Sequence, residues 1–177
     1  MTTPHLALLR GINVGGKNLI SMAEFAEAFR DAGYTDVRTH LQSGNVLFAG
    51  GRAAEDGIER MLEQRFGIPI LVIVRTHDQL ADIVKKAPAD HGSADLRSEV
   101  IFLKGPLTAK DALAKAPELR EGVDTISAGP GVLYFSRVKA RATKTRVQQL
   151  MAMPMFKQMT MRTWGTTTRL LQLLDEA

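Results

Sequence analysis

The sequence predicts an α+β protein in which one βαββαβ unit is followed by a second. Three observations carry this reading. Short β-rich runs alternate with helical patterns in the same order in both halves. Each half places a hairpin at the same point, with a Gly shortly before a Val-Leu pair: Gly44-Asn45-Val46-Leu47-Phe48 beside Gly131-Val132-Leu133-Tyr134-Phe135. The length of 177 residues suits one compact domain or two small ones. Right-handed crossovers in a βαββαβ order give a ferredoxin-like antiparallel sheet with both helices on one face. The expected division is 1–76 for the first unit, 77–98 for a connecting helix and linker, and 99–177 for the second unit with a C-terminal helix.

The first strand is His5–Leu9, followed by a Gly-rich loop from Gly11 to Asn18. Ser21-x-x-Glu24 is a capping box that starts a helix, with Met22, Phe25, Ala26 and Phe29 as its apolar stripe. Gly33 sits where a helix C-terminal glycine belongs. Strands Val37–Leu41 and Val46–Ala49 are joined by Gln42-Ser43-Gly44-Asn45. A second helix, Ala54–Phe66, carries Ile58, Leu62 and Phe66 on one face, with Gly67 as its stop. The continuous apolar run Ile70–Val74 reads as a central or doubly covered strand. Thr76-x-x-Gln79 is a second capping box. It opens a connecting helix that ends at Pro88, and residues 89–98 read as a linker. In the second half, strand Val100–Lys104 precedes a short helix, Ala109–Ala116, capped by Thr108. A hairpin of Val123–Ser127 and Val132–Ser136 follows. The pattern then gives a basic helix over Ala142–Met151, a strand Met159–Thr163 and a last helix from near Thr166.

Composition narrows the function classes. The apolar fraction is 45% and the charged fraction 24%, both ordinary for a globular chain. There is no cysteine, which removes disulfides, thiolate metal sites and thiol nucleophiles together. No run approaches the ~20 apolar residues of a membrane span, and no basic n-region opens the chain. A cytoplasmic location is therefore expected. The net charge is +4, unevenly spread. From Val132 onward eight basic residues face two acidic ones, whereas the remainder has fifteen basic and seventeen acidic. A basic C-terminal third fits an anionic small ligand or nucleic acid, or else a solvated basic face.

Few motifs carry chemistry. Gly11 to Lys17 fits the G-x-x-x-x-G-K phosphate loop, with Asn18 in place of Ser or Thr. The helix cap at Ser21 comes four residues too late for such a loop, and the next strands form a hairpin instead of a parallel pair. That disfavours nucleotide hydrolysis. What survives is a loop whose glycine amides, with Arg10 and Lys17, bind some anion, or a plain glycine-rich turn. His5, His40, His77 and His91 lack metal-ligand spacing, so no metal is expected. Ser43 lies in a strand–turn–strand and not in a nucleophile elbow. Tyr134 and Phe135 point to opposite faces, which disfavours an RNA-recognition sheet. The methionines from Met151 to Met161 read as flexible core filler.

Three segments, Leu8 to Asn18, Gln42 to Val46 and Thr160 to Leu170, together resemble the bacterial family called domain of unknown function 1697, over essentially the whole chain. The resemblance implies a two-unit ferredoxin-like fold and supplies no activity, catalytic residue or cofactor. The family usually reads Arg-Asn-Trp-Asn-Thr where this chain has Arg162-Thr163-Trp164-Gly165-Thr166. The family motifs fall in loops and strand ends, which yields a candidate anion site. It comprises Arg10, Gly11, Asn13, Gly15, Gly16 and Lys17 from the first loop, Gln42, Ser43 and Asn45 from the hairpin turn, and Arg162, Trp164 and Arg169. The alternative is that Asn13, Gln42 and Asn45 satisfy turn backbones and that Trp164 is an apolar anchor. An enzyme using the same cleft, and an interaction protein using a sheet edge, are the other classes open.

Overall fold

A computed structural model of the chain describes residues 2–12, 19–52 and 54–177. It holds two four-stranded antiparallel sheets in an α+β arrangement. The chain divides into two compact units, residues 1–80 with 170–177, and residues 81–169. Among the described residues no helix is long and apolar enough to cross a membrane.

In the first unit the elements are β1 (His5–Leu9), α1 (Met22–Asp31), β2 (Thr35–His40), β3 (Asn45–Ala49), α2 (Glu55–Phe66) and β4 (Val72–Thr76). The sheet order is β2-β3-β1-β4, with Ala7 opposite both Val46 and Val74. The capping box forms as expected. The Glu24 N–H donates to Ser21 Oγ at 3.1 Å and the Ser21 N–H to Glu24 Oε2 at 2.8 Å. That pair fixes where α1 starts and with it which face Phe25 and Phe29 present. Phe25, Phe29, Ile58 and Leu62 pack with Leu9, Val46, Phe48 and Val72 in the helix-side core. Each such side chain contributes about 2 kcal/mol on burial.

The run at Ile70 meets one of its two expected readings: the strand is covered on both faces but is not central. The strand begins at Val72 and lies at the sheet edge, bordered only by β1. Its apolar character comes from the double cover: Val72 and Ile73 alternate faces, and both are fully buried. The edge itself is occupied by side chains of α2. Glu59 Oε2 accepts from the Val72 N–H at 3.0 Å, and Glu55 Oε1 from the Val74 N–H at 2.9 Å. On the opposite edge Arg30 donates to the Val37 carbonyl at 3.1 Å. These contacts satisfy strand groups that an incoming strand would otherwise pair with.

The helix α3 (His77–Lys85) opens on the second capping box, with Thr76 N–H to Gln79 Oε1 at 2.9 Å and Gln79 N–H to Thr76 Oγ1 at 3.1 Å. The second unit then runs β5 (Leu96–Leu103), α4 (Ala109–Lys115), β6 (Asp124–Gly129), β7 (Val132–Val138), α5 (Val147–Met151), β8 (Met159–Thr163) and the start of α6 (Trp164–Asp175). Its sheet order, β6-β7-β5-β8, repeats that of the first. Ile101, Leu133, Phe135, Val147, Leu150 and Met159 form its helix-side core, with Met153, Met155 and Met161 packed against it. Met151 is an exception among the methionines and is exposed.

Three boundaries in this unit are corrected. Strand β5 starts at Leu96, inside the stretch expected to be linker. Helix α6 starts at Trp164, because the Thr163 hydroxyl accepts from the Thr166 N–H at 3.2 Å and acts as the cap. The expected basic helix over 142–151 is broken into a 3₁₀ stretch, Lys139–Lys144, and the short α5. Buried Asp124 causes the break. Its carboxylate accepts from the Thr145 hydroxyl at 2.5 Å, the Arg146 N–H at 2.9 Å and the Arg120 N–H at 3.1 Å. Those bonds draw Thr145 out of helical geometry, to φ −61° and ψ 147°.

Candidate functional site

The first unit brings part of the predicted site together. The Leu9 N–H donates to the Gly44 carbonyl at 2.9 Å, so the 42–45 turn lies against the end of β1 where Arg10 begins the loop. Gly44 has φ +93°, and a Cβ there would stand 2.6 Å from Ile12 Cδ1, so this turn approaches the loop as closely as glycine allows. Arg10 is half-buried, and its N–H donates to the Leu71 carbonyl at 3.0 Å. Gly11, Gln42 and Ser43 are exposed. Asn45 is fully buried. Its amide donates to the His40 carbonyl at 2.7 Å and to Ser43 Oγ at 3.2 Å, closing the turn from inside. Asn13, Gly15, Gly16 and Lys17 lie outside the described residues.

Arg162, Trp164 and Arg169 belong to the second unit. Arg162 is 6% exposed and donates through Nη1 to Thr160 Oγ1 at 2.7 Å and to the Met161 carbonyl at 3.0 Å. Burial pushes its pKa down to about 10, which still leaves it charged at neutral pH. Arg169 is exposed. Of the three, only Trp164 lines the pocket described next.

That pocket follows from strand register. Residues 96–98 of β5 pair with β7, Ser98 lying opposite Ser136, whereas β8 joins only from Glu99, opposite Thr163. One side of β5 is thus left open just where β8 turns into α6. The gap is a pocket of about 320 Å³, walled by Gly92, Arg97, Ser98, Lys139, Trp164 and Gly165 among others. Arg97 and Lys139 are exposed, and Lys139 Nζ donates to the Ala94 carbonyl at 2.8 Å. Buried Glu99 is matched twice over. Arg137 Nη1 donates to its Oε1 at 3.1 Å, and Arg97 Nε lies 3.7 Å from the same oxygen. In the first turn of α6 the Thr166 N–H is capped by Thr163, and the Gly165 N–H has no hydrogen-bond partner among the described residues. A helix start with an open N–H and two exposed cations makes the pocket electropositive.

His91 stands behind this wall. Its ring meets Trp164 edge-on at 4.8 Å between centroids and Tyr134 at 5.4 Å. Gly92, at φ +86°, lets the backbone pass the indole; a Cβ there would lie 2.4 Å from Trp164 Cδ1. His91 Nδ1 is 3.2 Å from Ser136 Oγ, Ser136 Oγ is 2.8 Å from Ser98 Oγ, and the Gly92 N–H donates to Ser98 Oγ at 2.9 Å. Both serines are buried. Burial lowers the pKa of His91, against the pull of the Glu99 backbone carbonyl and the Asp90 carboxylate. The Tyr134 hydroxyl donates to the Ile83 carbonyl at 2.5 Å, and burial pushes its pKa up to about 12.

Sequence reasoning missed Arg97, Ser98, Lys139 and His91. They carry no motif, and their only signal is the register that leaves residues 96–98 without β8. A second cavity, of about 480 Å³, lies in the first unit among Thr2, Pro4, His77, Asp78 and Asp175. There His77 lies between two carboxylates, 2.5 Å from Asp175 and 3.1 Å from Asp78.

Fold and pocket together define an α+β protein with two four-stranded antiparallel sheets and an electropositive cavity in its second unit. The chain belongs to the DUF1697 family of proteins of unknown function, whose model matches residues 1–134. It is similar in structure to the conserved bacterial protein SP0830 from Streptococcus pneumoniae. The TM-score is 0.81 at 22% identity, over 98% of this chain and 99% of that one, a likeness of fold alone. No curated protein matches the sequence.

Proposed function

We propose that this protein is a binding module for a small phosphate-bearing ligand, held in the pocket of the second unit. One observation carries the reading: Arg97, Lys139 and the open Gly165 N–H line a single cavity of about 320 Å³. Each charge-assisted hydrogen bond there is worth about 1.5–3 kcal/mol before solvent screening. The first-unit loop at Arg10 and Gly11, with Asn13, Gly15, Gly16 and Lys17, is a separate proposed anion contact. The strand order β2-β3-β1-β4, repeated as β6-β7-β5-β8, supports a ferredoxin-like reading of each unit.

Trp164 is the single tryptophan of the chain and lines the pocket, so its fluorescence reports occupancy directly. Titration with inorganic phosphate is expected to change that fluorescence. The double variant Arg97→Ala/Lys139→Ala should weaken the response at least tenfold. Equal affinity in the double variant would remove the reading.

A second reading has its own observation. Asp124 ties together the backbones of Arg120 and Arg146. Their side chains donate to the Lys144 and Glu118 carbonyls, leaving Arg120, Lys144 and Arg146 without carboxylate partners among the described residues. Such a cluster suits a nucleic-acid backbone. In that case log K falls with log salt by about 0.9 per phosphate neutralised in duplex DNA. Affinity that ignores salt counts against it.

A further inference from the structure

The proposed phosphate site has a floor as well as walls, and the floor is a string of neutral groups with a direction. Ser98 lines the pocket and is 6% exposed. Behind it lie Ser136 and then His91, at 2.8 Å and 3.2 Å. Hydroxyls donate and accept equally well, so the imidazole at the end sets which way the string points. Within the protein, His91 Nε2 is buried and has no hydrogen-bond partner among the described residues. An N–H buried without an acceptor is disfavoured more than a bare lone pair. The Glu99 backbone carbonyl also draws on the ring. The side-chain hydrogen bond is the one at Nδ1, so the string takes the proton of neutral His91 on Nδ1, with Ser136 Oγ accepting it.

The rest follows by counting donors. Ser136, having accepted from His91, donates its own hydrogen to Ser98 Oγ. That oxygen also accepts from the Gly92 N–H at 2.9 Å. With both lone pairs of Ser98 engaged, its hydroxyl hydrogen is left for a further acceptor, and Ser98 lines the pocket. We propose that His91, Ser136 and Ser98 form a directed hydrogen-bond string that turns the Ser98 hydroxyl into a donor for an oxygen of a bound phosphate group. This rests on the anion reading above and adds a neutral donor that the charge argument does not require. It also assigns Ser98 a binding role, since a hydroxyl whose lone pairs are both occupied is a poor nucleophile. Glu99 and Arg137 are paired with each other.

Two measurements on the full chain test it. In the imidazole ¹⁵N spectrum at neutral pH, His91 is expected as the Nδ1–H tautomer; an Nε2–H tautomer reverses the string and overturns the proposal. In phosphate titrations read by Trp164 fluorescence, Ser98→Ala and Ser136→Ala should each lose about tenfold in affinity. Ser136 is not a pocket residue, so its loss reports the string and not direct contact. The tautomer is read on the unaltered protein, so a variant that fails to fold leaves the question decidable. If Arg97→Ala/Lys139→Ala weakens binding while Ser98→Ala binds as tightly as the parent, the Ser98 donor falls and the cationic pocket stands. An unaffected double variant removes the anion reading and, with it, the Ser98 donor that rests on it.

Discussion

The two units share a strand order and differ in what they do with a histidine. In the first, His77 lies part-exposed between Asp78 and Asp175. Hydrogen bonds to Asp175 and then to Asp78 raise its pKa, so the protonated form is favoured. In the second, His91 is walled in by Trp164 and Tyr134, and burial lowers its pKa, so the neutral form is favoured. The same side chain becomes an ion-pair partner in one unit and a neutral hydrogen-bond director in the other. A cavity lined by carboxylates and one lined by cations follow the same division. The lesson is that neighbours and solvent access, more than residue type, decide what a histidine contributes.

The largest expected effect tests the other divergence, the broken crossover of the second unit against the unbroken twelve-residue α2 of the first. Asp124→Ala strands the Thr145 hydroxyl and the Arg120 and Arg146 N–H groups. It should cost about 3 kcal/mol, seen as earlier thermal unfolding of the second unit with the first unaffected. Uniform loss across both units would show that the carboxylate does not act locally. Next comes Gly92→Ala, which places a Cβ within 2.4 Å of the indole at a positive φ. About 2 kcal/mol of destabilisation is expected, with a shifted Trp164 emission. An unchanged spectrum would mean that the loop does not seat the indole.

The smallest effects are the most specific to the comparison, because the two histidines should respond to pH with opposite signs. His77 has a raised pKa in the folded chain. Its stabilisation is fully present below the unfolded value, near 6.5, and is lost as pH rises through the folded value. His77→Asn should therefore lower the melting temperature by roughly 1–2 °C at pH 5.5, after discounting for exposure, and leave it unchanged at pH 9. His91 has a lowered folded pKa. The unfolded chain takes up its proton first, so stability falls as pH drops below about 6.5. His91→Asn should thus be less sensitive to acid than the parent chain. Melting curves that move together at both sites would dissolve the contrast.

The readable part of this fold is local. The two capping boxes involve groups three residues apart, and Ser21 with Glu24 and Thr76 with Gln79 form as their spacing predicts. The bounds of β1 follow from an apolar run closed by Arg10, and those of β8 from methionines alternating with polar residues. The turn role of Asn45 was one of two readings that its type allowed, and its contacts to His40 and Ser43 are those of a turn amide. The unreadable part depends on partners far along the chain. Asp124 breaks a helix pattern twenty residues away, which no window across 142–151 contains. Residues 89–98 read as linker, yet Ser93, Arg97 and Ser98 line a pocket that exists only because β8 stops short of Ser98.

The sequence by itself determined that the chain is α+β, that its element order runs twice, and where most helices start. Propensity, capping and hydrophobic period act within a few residues, and those signals are written in consecutive letters. Only the tertiary structure decided that β4 is an edge strand guarded by glutamates, that Thr163 caps α6, and that Arg97, Ser98, Lys139 and Gly165 share one cavity. Those outcomes depend on strand register, which brings together residues dozens of positions apart and leaves no mark on any one of them.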